Sequence, residues 1–262
     1  MKLFFGEFVA DYDKYFFPYQ VWLYKEEGDS VEKIYENGFL PIRSMRLVYF
    51  LSRSVRVDLN KFELSSENRR ILKKTENFSA KVIPLSSFDY NPGVQKMCST
   101  YADEKFGKDI LPTFTIRAIY KNEVYNSIIV FTEKTSKKEI GYAVCYITKN
   151  LIQYAFSFYD LTYLKDNLGA RMMLEAVLWG KENDKSYIYL GSCYSKESLY
   201  KTEYKGVEFF NGFSWSANLS ELKYLLGRGK EDYLLKDKDY LDTFYAGQRI
   251  NLLSNKGIRV NF

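Results

Sequence analysis

Leu168-Gly169-Ala170-Arg171-Met172-Met173-Leu174-Glu175-Ala176-Val177-Leu178-Trp179-Gly180-Lys181 decides how the rest of the chain is read. Met172, Met173, Leu174, Ala176, Val177, Leu178 and Trp179 leave the segment apolar almost all round, which marks a helix buried on more than one side. Upstream, residues 126–132, 140–148 and 151–160 read as strands, with Lys149-Asn150 as the turn between the last two. Residues 161–167 form a loop into the helix, and residues 186–190 supply the next strand.

The first half has a different rhythm. Residues 4–24 read as short aromatic strands around Pro18. Ser30 caps a short helix over 31–36, which Asn37-Gly38 stops. Residues 46–58 are extended and rich in β-formers. Ser65-Ser66 caps a basic helix from Glu67 to about Glu76. Asn91-Pro92-Gly93 is a turn, and residues 95–106 read as a helix ending at Gly107. Beyond Trp215 the chain is charged and less patterned, with a helical stretch near 220–226.

The chain has 262 residues, 46% hydrophobic and 27% charged, the balance of a globular protein with a real core. No apolar run reaches the roughly 20 residues that cross a bilayer. Residues 1–7 turn acidic too early for a signal peptide, so a cytoplasmic protein without membrane attachment is expected. There is no histidine, which excludes Ser-His-Asp and Cys-His nucleophile systems. Cys98, Cys145 and Cys193 are scattered and form no C-x-x-C pair, so no metal site is expected. Nine Lys/Arg against three acids fall within residues 41–74, a basic patch of the kind an RNA surface uses.

The order hairpin, strand, loop, buried helix, strand is the core of a GNAT-like sheet. The expected fold is therefore α/β: an N-terminal α+β lobe over residues 1–85, then a GNAT-like acyltransferase lobe with a mixed sheet over 86–262. In that fold the strand before the buried helix splays from its neighbour and exposes amides for an acyl carbonyl. A coenzyme A enzyme would carry a glycine-rich loop at the helix start. Here Tyr163-Leu164-Lys165-Asp166-Asn167-Leu168-Gly169-Ala170 has one glycine and places Asp166 toward the phosphates, so no cofactor is expected.

Phe156-Ser157-Phe158-Tyr159-Asp160, Leu168-Gly169, Tyr187-Ile188-Tyr189-Leu190-Gly191 and Tyr200-Lys201-Thr202-Glu203-Tyr204-Lys205-Gly206-Val207-Glu208 resemble, in order, the C-terminal domain of the aminoacyl-tRNA–protein transferases, both arginyl and leucyl. Asn37-Gly38-Phe39, the run from Ser52 to Phe62 and the stretch from Ser65 to Lys74 resemble its N-terminal half. The family's clustered cysteines are missing: Phe17-Pro18-Tyr19 stands where Cys-Pro-Tyr is expected, and Tyr49 to Ser54 holds none. Gly206 replaces a proline.

The resemblance implies transfer of an amino acid from charged tRNA to the N-terminal amine of a protein or peptide, a mark for degradation (N-degron tagging). Such an ester is already activated, so orientation and oxyanion stabilisation supply most of the catalysis. Asp160 is the candidate to accept or position the amine, and Tyr189 to donate to the leaving oxygen. Tyr159, Gly191, Ser192, Tyr200, Lys201 and Tyr204 are the candidate substrate contacts. Arg53, Arg56, Arg69, Arg70, Lys73 and Lys74 are the candidate RNA contacts. Each has a plainer reading beside it: Asp160 as a turn cap, the tyrosines as packing, Lys201 as a solvated side chain, and the helix cations as an exposed amphipathic face. The alternative functions are an acyl-CoA-dependent transferase for a small amine and a non-catalytic RNA- or peptide-binding relic.

Overall fold

The computed structural model describes residues 1–7, 19–43, 45–121, 123–229 and 233–253. Phe17 and Pro18, and the far end of the tail, lie outside them.

The chain opens with β1 (Lys2–Glu7) and β2 (Tyr19–Tyr24), then α1 (Val31–Glu36), β3 (Phe39–Pro41) and β4 (Val48–Leu51). β1, β2, β4 and β3 form a small antiparallel sheet in that spatial order. As expected, Ser30 caps α1, its hydroxyl accepting from the Lys33 N–H. Gly38 then turns the chain at φ 82° with no room for a side chain, because an added Cβ would stand 2.3 Å from the Phe210 ring.

β5 (Ser54–Asp58) leaves this sheet for a larger one. α2 (Ser66–Lys74) follows, closed by a capping box between Ser65 and Asn68, and β6 (Phe78–Pro84) runs on to α3 (Pro92–Phe106) and α4 (Thr113–Lys121). Asn91 caps α3 by accepting from the Gly93 and Val94 N–H groups, and Pro92 fits the first turn. Neither β6 nor α4 is among the elements expected from the sequence. Next come β7 (Ser127–Glu133), β8 (Glu139–Ile147), β9 (Leu151–Tyr159), α5 (Leu168–Glu182) and β10 (Tyr187–Ser192). β11 (Val207–Phe210), β12 (Trp215–Ser216), α6 (Leu219–Gly227), α7 (Lys238–Tyr245) and α8 (Arg249–Leu253) complete the described chain.

The large sheet is ordered β12-β11-β5-β10-β9-β8-β7-β6 and is antiparallel throughout except where β10 joins β9. That parallel pair is possible because α5 makes the crossover between them. α5 buries Leu168, Met172, Met173, Leu174, Ala176, Val177 and Gly180. Gly180 lets the helix come close, since a Cβ there would be 2.9 Å from Ile152 and Leu59 side chains. A fully buried leucine or valine on this helix stabilises the fold by about 2 kcal/mol. α3 and α4 cover the other face, packing Val94, Cys98, Ile116 and Ile119 on Ile128, Val130, Val144 and Phe158. α6, α7 and α8 close over Val55 and Phe209 at the far end. The small sheet packs Leu23, Ile34, Tyr35 and Tyr49 against Leu151 and Tyr189 of the large one. The mixed sheet with one parallel pair bridged by a buried helix is the expected GNAT-like arrangement. Among the described residues no helix is long and apolar enough to cross a membrane.

Candidate active site

β9 and β10 stay paired only from Tyr187↔Leu151 to Tyr189↔Gln153. Past that point both strands carry a bulge: Ala155 is the extra residue of β9 against β8, and Leu190 that of β10 against β5. Bulges bend and re-aim strands, and here they fall together where the two separate. Gly191, at φ 87°, follows the second bulge in a conformation that a side chain would strain. On its inner edge, β9 beyond Gln153 has no strand beside it among the described residues.

The gap so opened is a cavity of about 620 Å³. Its walls come from Leu40 to Arg43 and Phe50 of the small sheet, Tyr101 and Phe106 of α3, Gln153 to Phe158 of β9, Met173 of α5, and Leu190, Gly191, Ser192, Tyr200 and Lys201. Among the described residues of this lining, Arg43 and Lys201 are the cations and there is no carboxylate. Lys201 Nζ donates to the Ser192 carbonyl at 2.8 Å and lies 5.8 Å from the centre of the Tyr200 ring. Burial pulls its pKa below the ordinary lysine value, and no carboxylate pairs with it among the described residues. Tyr200 stands at the mouth, 53% exposed.

Of the residues singled out in the sequence, Gly191, Ser192, Tyr200 and Lys201 meet here. The others do not line this cavity. Tyr204 is in the core, tilted against Phe62 at 6.2 Å. Tyr189 is 2% exposed among Tyr35, Tyr187 and Trp215. Tyr159 is also buried, packed on Tyr101, and its ring is what Gly169 at the start of α5 leaves room for. Asp160 lines a separate pocket of about 490 Å³ with Lys96, Lys138, Tyr159 and Thr100. It caps the 3-10 turn over Leu161–Asp166 by accepting from the Thr162 N–H and hydroxyl, and Lys138 donates to it at 2.7 Å. Burial raises its pKa, but the bonds from Lys138 and Thr162 outweigh that and hold it below the usual carboxylate range. A carboxylate so occupied is a poor base.

The expected RNA contacts divide as well. Arg69, Arg70, Lys73 and Lys74 are exposed on α2. Arg70 forms a fork with Glu67 at 2.6 and 2.7 Å, and Lys74 donates to the Lys165 carbonyl beside the start of α5. Arg53 is half-buried, 5.3 Å from the Tyr194 ring centre. Arg56 must be withdrawn from the RNA surface. It is 6% exposed, held between the Tyr187 and Trp215 rings at 4.0 and 3.9 Å, and paired with Glu208 at 2.8 Å.

Sequence reading misses Arg43, Tyr101, Gln153 and Met173, which reach the cavity singly from different elements and form no motif. Nor do the described residues fit the family's metal centre. Among them no three His, Cys, Asp or Glu gather as ligands would. Burial pushes the Cys98 and Cys145 thiols up to about 12 and also raises Cys193.

A splayed parallel strand pair, bulged at the split and bridged by a buried helix, is the arrangement of a GNAT-like fold. Residues 89–211 match the family described as "Arginine-tRNA-protein transferase, C terminus". The chain is also 24% identical over 169 residues to an aspartate/glutamate leucyltransferase of Ruegeria pomeroyi, covering 63% of this chain and 61% of that protein. Both belong to the aminoacyl-tRNA–protein transferases, so the resemblance seen in the motifs is confirmed. The chain spans about three-fifths of the length of that relative. Among solved structures, that of L-PGS from Bacillus licheniformis superposes with TM-score 0.41 and 16% identity over 53% of this chain and 44% of the other. That of FemX gives 0.38 and 9% over 64% and 60%.

Proposed function

We propose that the protein transfers an amino acid from charged tRNA to the N-terminal amine of a protein or peptide. The observation that carries this reading is the 620 Å³ cavity between the splayed strands, wide enough for an aminoacyl ester and flanked by exposed aromatic and basic groups. The aminoacyl group enters between β9 and β10, Tyr200 stacks on the terminal adenosine, and Lys201 meets its phosphate or ribose oxygens. The exposed cations of α2 hold the acceptor stem. On this reading residues 1–85 serve the catalytic lobe, 86–262, by supplying a basic surface and one wall of the cavity.

The lining favours an apolar donor. Leu40, Ile42, Phe50, Phe106, Phe156, Phe158, Met173 and Leu190 surround the space, whereas a buried arginyl guanidinium needs a carboxylate, and none stands among the described lining residues. Leucine or phenylalanine fits better than arginine, in keeping with the leucyltransferase likeness. The Lys201 ammonium, without a carboxylate partner among the described residues, suits an acceptor that begins with Asp or Glu. Asp160, tied to Lys138, is assigned no proton transfer on this reading. The resulting N-terminal tag marks cytoplasmic proteins for degradation.

The test is single-turnover transfer from separately charged leucyl-, phenylalanyl- and arginyl-tRNA to a peptide beginning with Asp. Transfer from the first two at least tenfold faster than from the third is expected. Arginine moving fastest would overturn the donor assignment, and no transfer from any of them would overturn the reaction.

A further inference from the structure

Gln153 is the last residue of β9 that pairs with β10, and it lines the cavity at the point where the strands part. It is 5% exposed. Its amide is oriented by one bond: Tyr35, from α1, donates its phenol O–H to Gln153 Oε1. Tyr35 is itself buried, between Tyr49, Tyr146 and Tyr189, and burial raises its pKa well above the ordinary phenol value. It therefore stays protonated and can only donate to a carbonyl-type oxygen here. With Oε1 taken, Nε2 is left as the free end of the amide. The described residues provide no acceptor for its two N–H groups, yet Nε2 is not among the buried polar atoms sealed from solvent without a partner. A buried polar side chain with two unused donors, facing a cavity, is placed to receive an acceptor from a ligand.

We infer that Gln153 Nε2 is a catalytic hydrogen-bond donor to the acyl carbonyl oxygen of the substrate ester, and that Tyr35 positions it. The inference rests on the aminoacyl-transfer reading above. The acceptor nitrogen attacks the ester carbon and the C–N bond forms. Negative charge gathers on the carbonyl oxygen, where Nε2–H strengthens its bond. The carbonyl then re-forms, the bond to the ribose oxygen breaks, and the proton lost by the amine ends on that oxygen. Gln153 itself exchanges no proton. Because its donor is fixed before the substrate arrives, little reorganisation is needed as charge develops, which is what makes such donors effective.

Three substitutions test this. Gln153→Glu keeps an oxygen for Tyr35 and removes the donor; Gln153→Met keeps the length and removes both; Tyr35→Phe frees the amide to rotate. With wild type transferring in the same assay, the two Gln153 variants should lose about 100-fold in kcat while the Kd for charged tRNA stays within about threefold. Tyr35→Phe should lose about tenfold in kcat, with KM unchanged. Melting curves show which variants fold, and Gln153→Glu keeps the test alive if Gln153→Met does not. Folded Gln153 variants with near-wild-type kcat would overturn the donor role. A wild type that transfers from no charged tRNA would instead overturn the reaction, and this role with it.

Discussion

Lys201 is an ammonium with no carboxylate partner among the described residues, and Asp160 is a carboxylate already bound to an ammonium. Burial keeps the Lys201 pKa below that of an ordinary lysine. The unfolded chain therefore binds the extra proton between the two values, and stability rises as pH climbs through that window. Lys201→Met should abolish that rise in a pH series of melting temperatures and slow transfer at least tenfold, without lowering the melting temperature at pH 7. Asp160 has the opposite sign. Its folded pKa is lowered, so its contribution is present above the unfolded value near 4 and lost as pH falls through the folded one. Wild type should exceed Asp160→Asn in stability at pH 7, with the gap closing below about pH 4. Transfer by Asp160→Asn should remain within about threefold of wild type, and a larger loss would return Asp160 to the chemistry.

The elements are legible wherever a cap or a period speaks for itself. Ser30, Ser65 and Asn91 announce α1, α2 and α3, and the all-round apolar run announces α5. β6 escapes because Phe78 is its only fully buried residue, and its partly polar sequence alternates too weakly to announce an edge strand. α4 carries a sound amphipathic pattern, with Ile116, Ile119 and Tyr120 buried, but no acidic first turn to point at it. The basic segment looks like one surface in the sequence, yet it spans β5, which is buried throughout, and α2, which is not. Charge count does not tell a cation sandwiched by aromatic rings from one in solvent. Replacing Arg69, Arg70, Lys73 and Lys74 together by Gln should weaken tRNA binding and flatten its salt dependence by about one log unit for each phosphate no longer neutralised. Arg56→Ala should leave the salt slope alone and cost about 3 kcal/mol of stability in denaturant unfolding, because Glu208 is deprived of its main partner.

At the scale of the molecule, the cavity exists because the small sheet is clamped against the large one. Leu40, Pro41, Ile42, Arg43 and Phe50 form one wall, and Trp215 donates its indole N–H to the Glu36 carbonyl across the junction. Gly38 comes close across the junction, with the Phe210 ring where a side chain would be. Gly38→Ala meets both that ring and an unfavourable positive φ, so a fall of several degrees in melting temperature and a matching loss of transfer are expected. Of the strand-end motifs, Gly191, Ser192, Tyr200 and Lys201 line the large-sheet side of the cavity. They cannot locate the small-sheet side, because only the tertiary clamp brings Arg43 and Tyr35 near β9. Asp160, Tyr159 and Tyr189 lie beside those same motifs in sequence, but Tyr159 and Tyr189 are buried in packing and Asp160, past the end of β9, caps the following 3-10 turn.

The most direct measurement incubates the purified protein with total charged tRNA and peptides beginning with Asp, Glu, Lys or Ala, and reads the peptide masses. One leucine or phenylalanine residue added to the Asp and Glu peptides is expected, with free tRNA as the other product. Peptides left unmodified with every charged tRNA present, or modified only after acetyl-CoA is supplied, would contradict the assignment of an aminoacyl-tRNA-dependent transferase.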